Sequence, residues 1–237
     1  MIRTLLMLAW WVSVVPVAAL IAFPWALLTG RVDLLYWLAM RIAWWGPKVA
    51  GIRVKVSGLE GLDPSRTYIF MSNHVSNLDP PILVPLIPRR TSVLVKKELF
   101  RIPIFGHAMR LGSLVPVDRS NREAAIASLK AAGKVLGREI NLTIFVEGTR
   151  SRDGRLLPFK KGPFHLALES GVPVVPVTMV GTFEAMPKGS FAIRPRPVEV
   201  VFHPPIDPET VGDREQLMEA VREQIESSLP AELRRCV

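Results

Sequence analysis

A chain of 237 residues is long enough for one α/β domain with a sizeable core plus an appendage, and its lone cysteine, Cys236, excludes a disulfide framework and fits a reducing compartment. The 30 Lys and Arg against 21 Asp and Glu give a formal charge of +9, unevenly placed: residues 89–161 hold 16 basic and 6 acidic side chains, 203–237 only 4 and 8. The middle of the chain therefore asks for an anionic partner, for which nucleic acid, an anionic membrane surface and a phosphorylated small substrate all qualify.

Residues 4–30 contain no charge and as a helix would extend about 40 Å against a hydrocarbon core of about 30 Å, so a retained membrane anchor is expected despite Pro16 and Pro24. No clear cleavage site ends the run, which argues against a removed signal peptide. The second apolar stretch, 34–49, mixes Tyr36, Trp37, Trp44 and Trp45 with Arg41 and Lys48, a composition suited to the membrane interface. Residues 1–50 thus read as a membrane-associated apolar two-helix hairpin that spans or lies in one leaflet, and 51–237 as an α/β domain.

From Ile52 the pattern changes. Ile52, Val54 and Val56 alternate with polar residues as a half-buried strand, and 67–72 (TYIFMS) is a short buried strand. It delivers Asn73, His74 and, five residues on, Asp79, which with Pro80 reads as N-cap and first position of a helix through Ile82, Leu83 and Leu86. On one continuous helix residues five apart lie about 140° from each other, so His74 and Asp79 meet only across a bend. A carboxylate on one imidazole nitrogen would fix the tautomer and leave the other nitrogen to take a proton. Taken alone, a His and an Asp at this spacing are more often structural polar residues in a loop than a catalytic pair; metal ligation would want a third ligand such as His107, and nothing in the spacing supports one.

A strand at 91–95 runs into Lys96 and Lys97, a short helix ends near Arg110, and 111–117 reads as a strand leading to Asp118 and Arg119. Ser120 with Glu123 is a capping box before a helix that aligns Ile126, Leu129, Ala132 and Leu136. Residues 140–146 form a strong buried strand that ends in Glu147, Gly148, Thr149 and Arg150, where open α/β sheets place ligand sites. The basic turn 157–162, with Lys160 and Lys161, opens a helix stopped by Gly171. In the apolar strand 172–180, Pro173 and Pro176 argue for an edge or a bulge. A final strand or two lie within 191–202, and Leu217, Val221, Ile225 and Leu229 mark an amphipathic terminal helix. Alternating strand and helix signals predict an α/β fold with a mixed sheet flanked by helices.

Four of these clusters, in order, resemble the motifs of the lysophosphatidic acid acyltransferase family of glycerolipid acyltransferases. Asn73, His74 and Asp79 match NHxxxxD; Asp118 and Arg119 match a strand ending in Asp-Arg. Phe145, Glu147, Gly148, Thr149 and Arg150 match Phe-Pro-Glu-Gly-Thr-Arg with Val146 in place of the proline, and 172–177 match an apolar Val-Pro-Val-Val-Pro-Val strand. The resemblance implies the family's fold and transfer of a fatty acyl group from a coenzyme A or acyl carrier protein thioester to a lysophospholipid hydroxyl. The acceptor it implies first is 1-acylglycerol-3-phosphate, giving phosphatidic acid at the cytoplasmic face of the inner membrane. It makes His74 the general base and Asp79 its orienter, with Asn73, Arg119, Glu147, Gly148, Thr149 and Arg150 at the acceptor and Lys96 a further phosphate ligand. It implies neither metal nor other cofactor, and the Val146 departure bears on acceptor identity. Lys160 and Lys161 join on charge alone.

Rival readings fare less well. A serine hydrolase would need a nucleophile elbow, and no GxSxG occurs. A non-catalytic anionic-lipid-binding membrane protein leaves NHxxxxD unexplained, and a nucleic-acid binder would interleave aromatics with its basic residues.

Overall fold

A computed structural model describes residues 1–118 and 122–234; Arg119, Ser120 and Cys236 lie outside them. After two N-terminal helices, α1 (Ile2–Thr29) and α2 (Asp33–Val49), the chain builds a seven-stranded sheet from β1 (Arg53–Ser57), β2 (Ile69–Ser72), β3 (Thr91–Lys96), β4 (Val115–Val117), β5 (Asn141–Phe145), β6 (Val174–Val180) and β7 (Pro197–Phe202). Helices α3 (Asp79–Leu83), α4 (Phe105–Leu111), α5 (Arg122–Leu136), α6 (Lys161–Ser170), α7 (Thr182–Ala185) and α8 (Arg214–Ser227) fill the connections.

The strand order is β1-β7-β6-β2-β5-β3-β4, and every neighbouring pair is parallel except β6 with β7. The sheet is mixed, as expected. Its parallel stretch brings the carboxyl ends of β2, β3, β4, β5 and β6 to one edge, which gathers clusters that are far apart in sequence.

β2 is buried along its whole length because helices cover both faces. Successive side chains point to opposite faces, so Phe70 joins Ile82, Leu83 and Val177 under α2 and α3, while Ile69 and Met71 join Ala132, Phe164 and Val221 under α5, α6 and α8. Each such side chain contributes about 1.5–3 kcal/mol by leaving water. Asp213 caps α8 by accepting from Gln216 N at 2.8 Å, and Gly171, with φ 63°, ends α6.

Three expectations are corrected. The first 50 residues do form two helices, but only α1 is apolar and long enough to cross a membrane; the 17-residue α2 carries Asp33, Arg41 and Lys48. Nor is β6 an edge: it lies between β7 and β2. Its Pro176 is tolerated because the missing donor falls where pairing with β7 ends, and its carbonyl still accepts from His203 N at 3.0 Å. The strand expected over 111–117 shrinks to β4, because α4 continues through Leu111.

α1 lies along α2 and exposes Leu20, Leu27 and Leu28, among other apolar residues. Its contact with α2 is close at Gly46, where a Cβ would stand 2.6 Å from Trp11 Nε1. Both Trp10 Nε1 and Trp11 Nε1 donate to Ile42 O at 3.3 Å. Thr4 holds the start of α1 to the domain, donating to Phe191 O at 2.6 Å and accepting from Ile193 N at 3.0 Å.

Candidate active site

At the carboxyl end of β2 the backbone leaves the sheet and bends before α3 begins, and the bend brings His74 and Asp79 together: His74 Nδ1 lies 2.8 Å from Asp79 Oδ2. The same oxygen accepts from Val75 N and Ser76 N, each at 2.8 Å. Asp79 is therefore not the N-cap of α3, a position held by Leu78; it sits in the first turn and turns its carboxylate back on the preceding loop.

An oxygen that already accepts two N–H groups offers the imidazole an acceptor, so Nδ1 carries the proton and Nε2 the lone pair. The ring stacks on Phe145 at 4.2 Å between centroids, which fixes its plane, and the side chain keeps 10% exposure. Among the described residues Nε2 has no hydrogen-bond partner in the protein. Asp79 Oδ1 is buried with no partner. A carboxylate so incompletely satisfied gains more from a positive imidazolium than one dissolved in water would.

The loop that presents His74 is held at every step. Asn73 acts as a backbone surrogate, donating from Nδ2 to Met179 O at 3.0 Å and accepting Met179 N on Oδ1 at 2.8 Å, which prolongs the β2–β6 pairing. His74 N donates to Glu147 Oε1 at 2.6 Å, and His74 O accepts from Ser151 N at 2.9 Å. Ser76 Oγ donates to Met186 O at 2.7 Å.

Glu147 follows β5, whose last residue Phe145 pairs in register with Ser72 of β2, and this adjacency sets its carboxylate under the His74 loop. Its second oxygen accepts from Leu157 N at 2.9 Å, and the residue is 1% exposed. Burial pushes its carboxyl up to about 8, against the pull of the two N–H donors and with a further push from the Asp79 charge.

Val146 explains its own departure from the motif. It is fully buried in the core, its N–H donates to Ser72 O at 3.0 Å, a bond a proline would lack, and its carbonyl accepts from Lys160 N at 2.8 Å. The substituted side chain faces the core and not the ligand end of the strand.

Gly148 has φ 68°, which glycine adopts without strain, and a Cβ there would meet Lys160 Cγ at 3.1 Å, so Lys160 is held across this turn. Beyond it Lys188 Nζ donates to Arg150 O at 2.7 Å and to Thr149 Oγ1 at 3.3 Å. Lys188 was not legible in the sequence, because it comes from the loop after α7 and belongs to no local pattern.

Arg150 is half-buried and in no ion pair among the described residues: Glu147 faces the two main-chain N–H groups, and Asp153 accepts from Ser151 Oγ at 2.9 Å and Arg155 N at 3.1 Å. Other cations are engaged: Lys96 lies 3.7 Å from Glu98, Lys97 pairs with Asp118, and Lys161 reaches Glu215 of α8 at 3.5 Å. His107 stands edge-on to Phe23 at 5.4 Å, and no cluster of three or more His, Cys, Asp or Glu comes together among the described residues. Arg119, expected at the acceptor, lies outside them.

Residues 53–180 match the family model described as Acyltransferase. The chain is 40% identical over 186 residues to a 1-acyl-sn-glycerol-3-phosphate acyltransferase of Limnanthes douglasii, covering 77% of this chain and 66% of that protein. A protein of the same name from Cocos nucifera is 43% identical over 150 residues, 62% of this chain and 49% of its own. The chain thus spans two thirds or less of the length of these curated relatives. The crystal structure of the 1-acyl-sn-glycerophosphate (LPA) acyltransferase PlsC from Thermotoga maritima superposes with a TM-score of 0.79 at 28% identity, covering 95% of this chain and 94% of that one.

Proposed function

The chain belongs to the acyltransferase family, and from that premise we propose that it moves a fatty acyl group from a thioester to the free hydroxyl of 1-acylglycerol-3-phosphate, forming phosphatidic acid for phospholipid synthesis. The observation that carries this reading is the His74–Asp79 pair, 2.8 Å apart, with the outer imidazole nitrogen unpartnered. A glycerol hydroxyl is a poor nucleophile at neutral pH, and a positioned base raises its rate by about 10² to 10⁴-fold.

His74 Nε2 takes the hydroxyl proton as the oxygen attacks the thioester carbonyl carbon. The new C–O bond gives a tetrahedral intermediate; its collapse breaks the C–S bond, and the imidazolium returns the proton to the departing thiolate. Asp79 stabilises the imidazolium in between. The acceptor attacks directly in this reading, because among the described residues no serine or cysteine side chain is hydrogen-bonded to the His74 imidazole, and the hydroxyl of the nearby Ser76 donates to Met186 O.

Arg150, Thr149 and Lys188 are the groups we assign to the acceptor phosphate, with Arg119 and Lys96 as further candidates and Lys160 held over Gly148 beside them. A guanidinium without a carboxylate partner suits a phosphate bound through two oxygens. Asn73 and Glu147 act at one remove: their polar atoms hold the His74 loop, so they are positioning residues rather than acceptor contacts.

We place the reaction at the cytoplasmic membrane surface, with residues 1–50 as the membrane segment and 51–237 as the acyltransferase domain. The support is α1, the one described helix long and apolar enough to cross a membrane, together with a donor that is water-soluble. Coenzyme A and acyl carrier protein thioesters both fit this chemistry. Incubating the purified chain with each donor and a panel of lysolipids differing in head group, then weighing the products, tests the assignment. Phosphatidic acid should dominate; acylation of every acceptor except the phosphate-bearing one would overturn it.

A further inference from the structure

Away from the His74 cluster, a groove of about 570 Å³ runs between α2 and the turn that follows α3. Along α2 its wall is a stripe at helical spacing, Asp33, Tyr36, Trp37, Met40, Arg41 and Trp44; Leu86 and Ile87 form part of the facing side, which ends in Arg89 and Arg90. Three guanidiniums therefore line an otherwise largely apolar and aromatic groove.

None of the three forms an ion pair with a carboxylate among the described residues. Arg41 lies 5.1 Å over the Trp37 ring and Arg90 5.7 Å over the Tyr36 ring, and Arg90 Nε is buried without a hydrogen-bond partner. Arg89 is fixed by donating to Ser65 O at 2.6 Å and Glu139 O at 2.8 Å. The one carboxylate in the lining, Asp33, is turned to Arg31 at 3.2 Å. Tyr36 accepts from Thr91 N at 3.0 Å through its hydroxyl, which holds that wall to the start of β3.

From this arrangement we propose that the groove binds one anionic phospholipid of the bilayer, distinct from the reacting acceptor. Unneutralised guanidiniums match phosphate oxygens two at a time, while the aromatic and aliphatic lining accepts the glycerol and upper acyl carbons. The wall that carries the aromatics is the helix that packs along α1, so the groove adjoins the part of the chain most suited to lipid. Trp37, 53% exposed with Arg41 over its ring, has the amphipathic character of a residue at the headgroup level. The proposal rests on the membrane-surface reading but not on acyl transfer.

The test uses the full chain in neutral detergent, with native mass spectrometry to count retained lipid when phosphatidylglycerol or phosphatidylcholine is added. One phosphatidylglycerol should be retained in preference to phosphatidylcholine. The Arg41→Gln/Arg90→Gln variant should weaken its retention by about tenfold or more, and Arg138→Gln, which alters an exposed cation outside the groove, should not. Arg41→Gln alone changes an exposed helix position and should weaken retention in the same direction, so misfolding of the double variant does not shelter the idea. Equal retention of both lipids, or undiminished retention in both groove variants, would overturn it. So would displacement by a soluble short-chain lysophosphatidic acid, which would make the groove the acceptor site, or by millimolar inorganic phosphate, which would make the ligand a free anion. Loss of acyl transfer with lipid retention intact would count against the proposed reaction and leave the groove standing.

Discussion

Glu147 is a buried residue that we assign to positioning the His74 loop rather than to acceptor contact. Its two oxygens accept from His74 N at 2.6 Å and Leu157 N at 2.9 Å, so it sets where the His74 backbone stands relative to the following loop. Glu147→Gln would turn an NH₂ toward one of those two donors, and an unsatisfied buried N–H costs about 1–3 kcal/mol. The melting temperature should fall and kcat should fall with it, while KM for both substrates stays within about twofold, because binding groups are untouched. A rise in acceptor KM with kcat preserved would mean that Glu147 touches the acceptor after all. The pH dependence has a definite sign. Burial raises the carboxyl from 4.5 to about 8, so between those values the folded chain holds a proton that the unfolded chain has released. Glu147's contribution to stability is therefore fully present below about pH 4.5 and is lost as pH rises through about 8, and Glu147→Gln should flatten that slope.

Arg150 is the residue whose competing explanation the structure removes. An ion pair with Glu147 or Asp153 would have made it a brace for the turn, but both carboxylates are engaged with other donors. Lysine keeps the charge and loses the planar fork, so Arg150→Lys should lower kcat/KM for a phosphate-bearing lysolipid by about 10 to 100-fold, or about 1.4–2.8 kcal/mol. An acceptor without phosphate should be poor with the wild type and no worse with the variant. Equal losses for both acceptors would remove Arg150 from the phosphate.

Among the elements, the contact of α1 with α2 depends on the absence of one side chain. A methyl at Gly46 would press into the Trp11 indole at 2.6 Å, and overpacking of this kind costs about 1–3 kcal/mol. Gly46→Ala should lower the melting temperature, and adding Trp11→Ala should make the alanine at 46 nearly neutral. If Gly46→Ala melts as the wild type does, the helices are not packed this closely. Strand order matters in a comparable way for β6. Two prolines in a short apolar run suggested an edge, yet Pro176 sits inside the sheet because its missing donor coincides with the end of the antiparallel partner. Local composition could report the proline but not where β7 stops.

At the scale of the whole molecule, the parallel strands account for what was legible. The chemistry-bearing clusters each follow a strand, so once β2, β3, β4 and β5 are parallel their ends share one edge, and the α/β class and the His74–Asp79 bend could be read from residue order. What could not be read depends on which strands are neighbours. Asn73 finds Met179 only because β6 adjoins β2, Glu147 finds His74 only because β5 does, and Lys188 arrives from a loop with no periodic signature. The mixed aromatic and basic composition of the second apolar stretch was legible, but not that its residues line a groove whose facing side carries Arg89 and Arg90. If α1 is the anchor, the intact chain should stay in the membrane pellet through a high-salt wash, since apolar burial is not screened as surface charge is. Release by salt alone would make the basic face the attachment.

In the proposed mechanism His74, oriented by Asp79, removes the proton from the acceptor hydroxyl. The most direct measurement is the initial rate of acyl transfer to 1-acylglycerol-3-phosphate by a His74→Ala chain whose fold and thioester binding match the wild type. The rate should fall by about 10² to 10⁴-fold, the usual worth of a positioned base. A folded variant that keeps more than about a tenth of the wild-type rate would contradict it.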